Sequence, residues 1–167
     1  MPHMRRAEEL RYLVLALQRE GNRLLAAELR PLGLTPSQAE VLRVLADRQP
    51  LTLSGLGELL VCETTTSPSR LVDRLVGQGL VQRDLDPDDR RFVTLSLTAD
   101  GRGLVGRIIE VEDRLYERLD RLTAGQPIKE TMQVLRAIAQ AFPAGQALAR
   151  RLRRPALQPP RAAETPR

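Results

Sequence analysis

The chain of 167 residues carries 42% hydrophobic but only 2% aromatic side chains and no Trp, so a single domain's core must be built from Leu, Val, Ile and Ala, which favours helices. Its formal net charge of +5 gives a cationic surface suited to a polyanion such as nucleic acid or an acidic membrane. One Cys and one His exclude an intramolecular disulfide and a four-ligand zinc site, no apolar run reaches the roughly 20 residues of a membrane span, and the start Met-Pro-His-Met-Arg-Arg lacks a signal-peptide core; a cytoplasmic location without metal or cofactor is expected.

From Glu8 to about Arg30, Leu10, Leu13, Val14, Leu17, Leu24, Leu25 and Leu29 form a helical stripe. Gly21 interrupts it, which predicts either a bend or a close backbone neighbour. Pro31-Leu-Gly33 ends this segment. Thr35, Pro36 and Gln38 then supply a cap hydroxyl, a first-turn proline and a capping-box partner for a short helix bearing Ala39, Val41, Leu42 and Leu45. Thr52 is placed to cap a third helix with Leu53, Leu56, Leu59 and Leu60.

Ser67 and Pro68 open a further helix of about three turns, with Leu71, Val72, Leu75 and Val76 on its apolar face and Gly77 and Gly79 at its end. Two β-prone stretches follow, Leu80 to Arg83 and Phe92 to Leu97, joined by the polar connection Asp84-Leu-Asp-Pro-Asp-Asp-Arg-Arg91; they predict a hairpin with a charged tip. Thr98 caps a long helix carrying Leu104, Ile108, Val111, Leu115, Leu119 and Leu122. An amphipathic stretch from Pro127 to Phe142 comes next, then a short helix from Ala144 to Arg154. From 155 to 167, Pro, Ala and Arg dominate, as in a disordered tail.

Helices, a hydroxyl-rich turn, a helix and a hairpin, in that order, are the layout of a winged helix-turn-helix. The fold class expected is mainly α with a small β-hairpin wing. A helix whose N-terminal region presents Thr64, Thr65, Thr66, Ser67, Ser69 and Arg70, with Arg74 beyond them, can enter a major groove, where hydroxyls meet base edges or phosphates and Arg pairs with guanine. At the hairpin tip, Arg90 and Arg91 follow three carboxylates. Asp89 or Asp86 would orient the arginines so that one guanidinium reaches a narrow minor groove, and Asp73 could hold Arg90 in the same way.

Thr35-Pro-Ser-Gln-Ala-Glu-Val-Leu42, Arg70-Leu-Val-Asp-Arg-Leu75 with Gly79-Leu-Val-Gln-Arg83, and Asp86-Pro-x-Asp-Arg-Arg91 leading to Leu97-Thr-x-x-Gly101 resemble the MarR (multiple antibiotic resistance regulator) family over roughly Glu8 to Phe142. The resemblance implies a two-fold dimer built by the first and the last two helices. It implies Arg91 as the minor-groove reader, supported by Asp89 and Arg90. It divides the chain into an N-terminal dimerisation helix (1–34), a DNA-binding region (35–98), C-terminal dimerisation helices (99–154) and the tail (155–167). The chain departs from the family in Pro68, which stands where the reading helix would already be under way, and in its Arg-Pro-rich extension after Arg150, which would touch DNA phosphates or add solubility.

The function expected is that of a homodimeric repressor binding double-stranded DNA at an inverted-repeat operator, released by a small-molecule effector lodged between the dimerisation helices and the reading region. Two alternatives stand beside it: a winged-helix module that binds protein rather than DNA, and a redox regulator sensing oxidants through Cys62. A structural role for Cys62 is the stronger expectation, because no basic neighbour in sequence lowers its pKa. Without a glycine-rich phosphate loop, a nucleophile–base pairing around His3 or a metal-ligand cluster, the chain does not read as an enzyme.

Overall fold

The computed structural model of the chain describes residues 4–62, 67–86 and 91–153. Helix α1 (Arg6–Leu29) runs unbroken through Gly21, and among the described residues nothing beyond its chain neighbours and its own helix backbone lies within 4 Å of where a Cβ there would stand. Of the two outcomes expected at Gly21, a bend or a close backbone neighbour, the second is not supplied by the described residues. Only the C-terminal end of α1 is packed: Leu29 is buried and Leu24 and Leu25 are half-buried, while Leu10, Leu13, Val14 and Leu17 are exposed.

A single 3-10 turn (Arg30–Leu32) leads to α2 (Pro36–Arg48). The capping box at its start is complete, with the Gln38 amide donating to Thr35 Oγ1 at 3.3 Å and the Thr35 amide donating to Gln38 Oε1 at 3.0 Å. Strand β1 (Leu51–Thr52) then precedes α3 (Leu53–Gly57). The third strand was not foreshadowed, and the reason is local. An N-cap residue has extended dihedrals, so Thr52, at φ −69° and ψ 162°, both caps α3 and pairs with Thr94. Helix α3 is also shorter than its leucine spacing implies: Leu59 and Leu60 lie beyond it, where Gly55 and Gly57 have weakened the propensity to continue.

Helix α4 (Pro68–Gly77) buries Leu71, Val72 and Leu75. Strands β2 (Val81–Leu85) and β3 (Val93–Leu97) pair antiparallel, from Val81 opposite Leu97 to Leu85 opposite Val93, and the sheet order is β1-β3-β2. Asp84 and Leu85, assigned by sequence to the connection, belong to β2. The Asp86 amide donates to the Phe92 carbonyl at 2.9 Å and adds one more rung.

Helix α5 (Ala99–Thr123), capped by Thr98, buries Val105, Ile108 and Val111 and packs on α1, α2 and β3. Fully buried Leu29, Leu42, Leu45, Leu56, Leu75, Leu95, Leu97 and Ile108 make one core from α1, α2, α3, α4, β3 and α5, each side chain contributing about 1.5–3 kcal/mol. Helix α6 (Ile128–Ala139) buries no residue and packs on α7 (Pro143–Leu152). The amphipathic stretch does not continue to Phe142 as one helix. Pro143 opens α7, and a Cβ at Gly145 would stand 1.9 Å from the Ala139 carbonyl oxygen, so α7 turns directly onto the end of α6. No helix among the described residues is long and apolar enough to cross a membrane.

Candidate nucleic-acid interface

Because α4 buries Leu71, Val72 and Leu75, the opposite face of the helix is outward, and Arg70, Asp73 and Arg74 are all exposed. Ser67 caps the helix, its hydroxyl accepting from the Arg70 amide at 3.5 Å, and Ser69 is half-buried in the first turn. Arg70 and Arg74, four residues apart, share one face. Of the other residues assigned to reading, Thr64, Thr65 and Thr66 lie outside the described residues.

The wing stands beside this helix. Arg83 of β2 donates to Asp73 of α4, Nη2 to Oδ1, at 2.5 Å. Asp73 thus ties α4 to the hairpin through Arg83, a partner sequence reasoning missed; Arg90, its expected partner, lies outside the described residues with Asp89. Such an exposed pair contributes little to stability, but it adds a side-chain link where β2 already packs beside α4. On β2, Asp84 Oδ2 accepts from Gln82 Nε2 and Ser96 Oγ, both at 3.0 Å. Arg91 is exposed immediately before the rung formed by Asp86 and Phe92, at the place where the described part of the tip rejoins the sheet.

Helix α2 reaches toward both ends of α4. Gln38 Nε2 meets the side-chain oxygen of Gln78, just after α4, at 3.5 Å. Glu40, 7% exposed, accepts from the amides of Val61 and Cys62, each at 2.9 Å, and from Arg151 Nη1 of α7, also at 2.9 Å. Neither Glu40 nor Arg151 stood out in the sequence. Arg151 was counted among the basic groups of the C-terminal extension available to DNA, yet it is engaged with a buried carboxylate, and Arg150 Nε donates to the Glu58 carbonyl at 3.0 Å. Arg43 and Glu112 pair at 3.1 Å between α2 and α5. Burial pushes the Glu112 carboxyl up, with Arg43 opposing, and burial followed by Glu112 pushes the Tyr116 phenol up.

The Cys62 thiol is half-buried and pushed up to about 12, first by burial and then by Glu40, to which it also donates. The thiolate is the reactive form. At pH 8, the upward shift of the thiol is expected to make labelling by an alkylating reagent on the order of 1,000-fold slower than that of a free cysteine. Labelling at the free-cysteine rate would restore the oxidant-sensing role. No group of His, Cys, Asp or Glu among the described residues is arranged to hold a metal ion.

A small three-stranded sheet set against helices, with one capped helix outward beside a hairpin, defines a winged helix-turn-helix protein flanked by long helices at either end. The MarR-family profile matches residues 34–93. The chain is 30% identical over 108 residues to the transcriptional regulator HosA of Escherichia coli O111:H-, spanning 65% of this chain and 79% of the relative. It is 30% identical over 109 residues to the organic hydroperoxide resistance transcriptional regulator of Bacillus subtilis, spanning 65% and 74%. Among solved structures it is similar to apo wild-type MarR of E. coli (26% identity, TM-score 0.63, 77% of this chain and 96% of that one). It is also similar to an E. coli MarR mutant complexed with operator DNA (25% identity, TM-score 0.65, 80% and 94%). The chain belongs to the MarR family of transcriptional regulators.

Proposed function

We propose that the protein is a homodimeric, DNA-binding repressor that reads an inverted-repeat operator, with α4 in the major groove and the wing in the flanking minor groove. The observation that carries this reading is the outward face of α4, with Arg70 and Arg74 exposed beside the wing, in a fold shared with a MarR protein bound to its operator. The hydroxyls and guanidinium groups there suit phosphate and base-edge contacts.

Dimerisation is supported by the apolar side chains that this single chain leaves uncovered. Leu10, Leu13 and Leu17 on α1, Leu119 and Leu122 on α5, and Met132, Leu135 and Ile138 on α6 are exposed. Apolar surface of this extent on long helices marks an interface. The open groove of about 760 Å³ between α6 and α7, lined by Met132, Leu135, Ala139, Leu148 and Leu152, fits a helix of a second copy. A small-molecule effector between the dimerisation helices and the reading region would release the operator by changing the spacing of the two reading helices. The protein would act in the cytoplasm.

Binding-site selection from random duplex DNA tests the reading. The expected product is an inverted repeat whose half-site centres lie about one turn, roughly 34 Å, apart, bound with strong salt dependence. Absence of any enriched sequence, with salt-insensitive retention, would turn the assignment to a protein-binding module.

A further inference from the structure

Helix α7 adds a layer to the reading region. Its C-terminal turn is gripped from three places. Arg48, in the last turn of α2, donates through Nη2 to the Arg151 carbonyl at 2.7 Å and to the Arg153 carbonyl. Arg150 Nε holds the Glu58 carbonyl just after α3. Arg151 holds Glu40. Ala147 of the same helix is buried. These bonds join α7 to the two helices that precede the reading helix.

Glu40 is the point at which this grip meets the path of the chain toward α4. A buried carboxylate is tolerable only when its charge and lone pairs are met. Here one oxygen takes the Val61 amide and Arg151, and the other takes the Cys62 amide. Together with the Cys62 thiol, these partners come from two sources, the segment leaving α3 for α4 and the last turn of α7. Remove Arg151, and the carboxylate loses a cationic partner at 2.9 Å while still fixed by two amides. The same amides belong to residues six and five positions before Ser67, the cap of α4.

We propose that Glu40 is a positioning residue for DNA reading, which fixes the backbone entering α4 only while Arg151 of α7 is seated against it. The proposal rests on the DNA-reading function above. Helix α7 is then a part of the reading head: its seating sets how α4 is presented, and any event that lifts it weakens operator binding without touching the groove-facing side chains.

The test uses the full-length protein and the variants Arg151→Gln, Arg151→Lys and Glu40→Gln. Without DNA, Arg151→Gln is expected to raise amide hydrogen exchange at Val61 and Cys62 by about tenfold, while amides of the α2 and α5 core exchange as in the parent. Operator affinity should fall by about tenfold with the selected sequence unchanged. Arg151→Lys, which keeps the charge but not the planar fork, should recover part of both effects. Combining Arg151→Gln with Glu40→Gln should cost less than the two single losses added together, since both break one network. Unchanged exchange at Val61 and Cys62 in Arg151→Gln would overturn the proposal. So would a uniform rise in exchange across the core, which would mark a merely structural contact. If the parent protein binds no duplex at all, the DNA-reading function fails, and the exchange pattern still decides whether Arg151 fixes the Glu40 contact.

Discussion

Replacing Gly101 by alanine is expected to destabilise the fold by about 3 kcal/mol, lowering the melting temperature on the order of 10 °C for a chain of this size. In the interior of a helix the same change would ordinarily help by about 1 kcal/mol, because alanine is the better helix former. At Gly101 that gain is overwhelmed. A Cβ there would lie 2.1 Å from the Leu80 carbonyl oxygen and 3.0 Å from its carbon, and both are backbone atoms. The carbonyl has little room to retreat: it accepts the Thr98 amide at 3.1 Å, and the Thr98 hydroxyl donates to the neighbouring Gly79 carbonyl at 2.7 Å while accepting the Gly101 amide at 3.0 Å. The first turn of α5 is thus clamped on the turn between α4 and β2. Gly103, two residues on, has nothing within 4 Å of its Cβ position, and Gly103→Ala should be neutral or slightly stabilising. Thermal or urea unfolding of the two variants separates these outcomes. Equal stability of Gly101→Ala and the parent would show that the clamp relaxes at no cost.

This close approach also explains what was and was not legible in the sequence. The run Leu97-Thr-x-x-Gly101 was visible as a family-like pattern, but its physical reason was not, because it depends on Leu80, 21 positions away in the chain. Signals that act within one turn were read directly. Thr35 with Gln38, Ser67 with Pro68, and Thr98 with Gly101 all cap as their spacing implied. Strand β1 escaped because its two residues carry no alternation, and Thr52 announced itself only as a cap. Glu40 escaped more completely. It sits between Ala39 and Val41 as one more charged residue of an amphipathic helix, and its burial is set by partners 21 and 111 residues distant. Asp73 lay within the recognised run, but its link to Arg83 needed the packing of β2 beside α4 to be known. The exposed leucines of α1 are a different case: their stripe was legible, while a dimer interface for it was implied only by resemblance.

Arg91→Ala is expected to weaken specific operator binding by about 1–3 kcal/mol, or roughly 5- to 150-fold. The position favours this role for mechanical reasons. Arg91 is exposed two residues before β3 begins, next to the last rung of the sheet, where the Asp86 amide meets the Phe92 carbonyl. The Arg83–Asp73 pair sets that end against α4. With α4 in a major groove, the wing falls over the adjoining minor groove, whose negative potential deepens where A·T steps narrow it. This gives a signature separable from general loss of charge. The parent protein should bind less well when A·T pairs flanking each half-site are changed to G·C, and Arg91→Ala should be nearly indifferent to that change. Arg70→Ala should show the converse, keeping the flank preference while relaxing the choice of bases within the half-site, because Arg70 projects from the first turn of α4. A simple phosphate contact at Arg91 would instead reduce the salt slope by about one without altering the flank preference. Titrating the three proteins against matched duplexes at two salt concentrations distinguishes these cases, and an Arg91→Ala variant with parental affinity on both duplexes would remove the wing arginine from the reading mechanism.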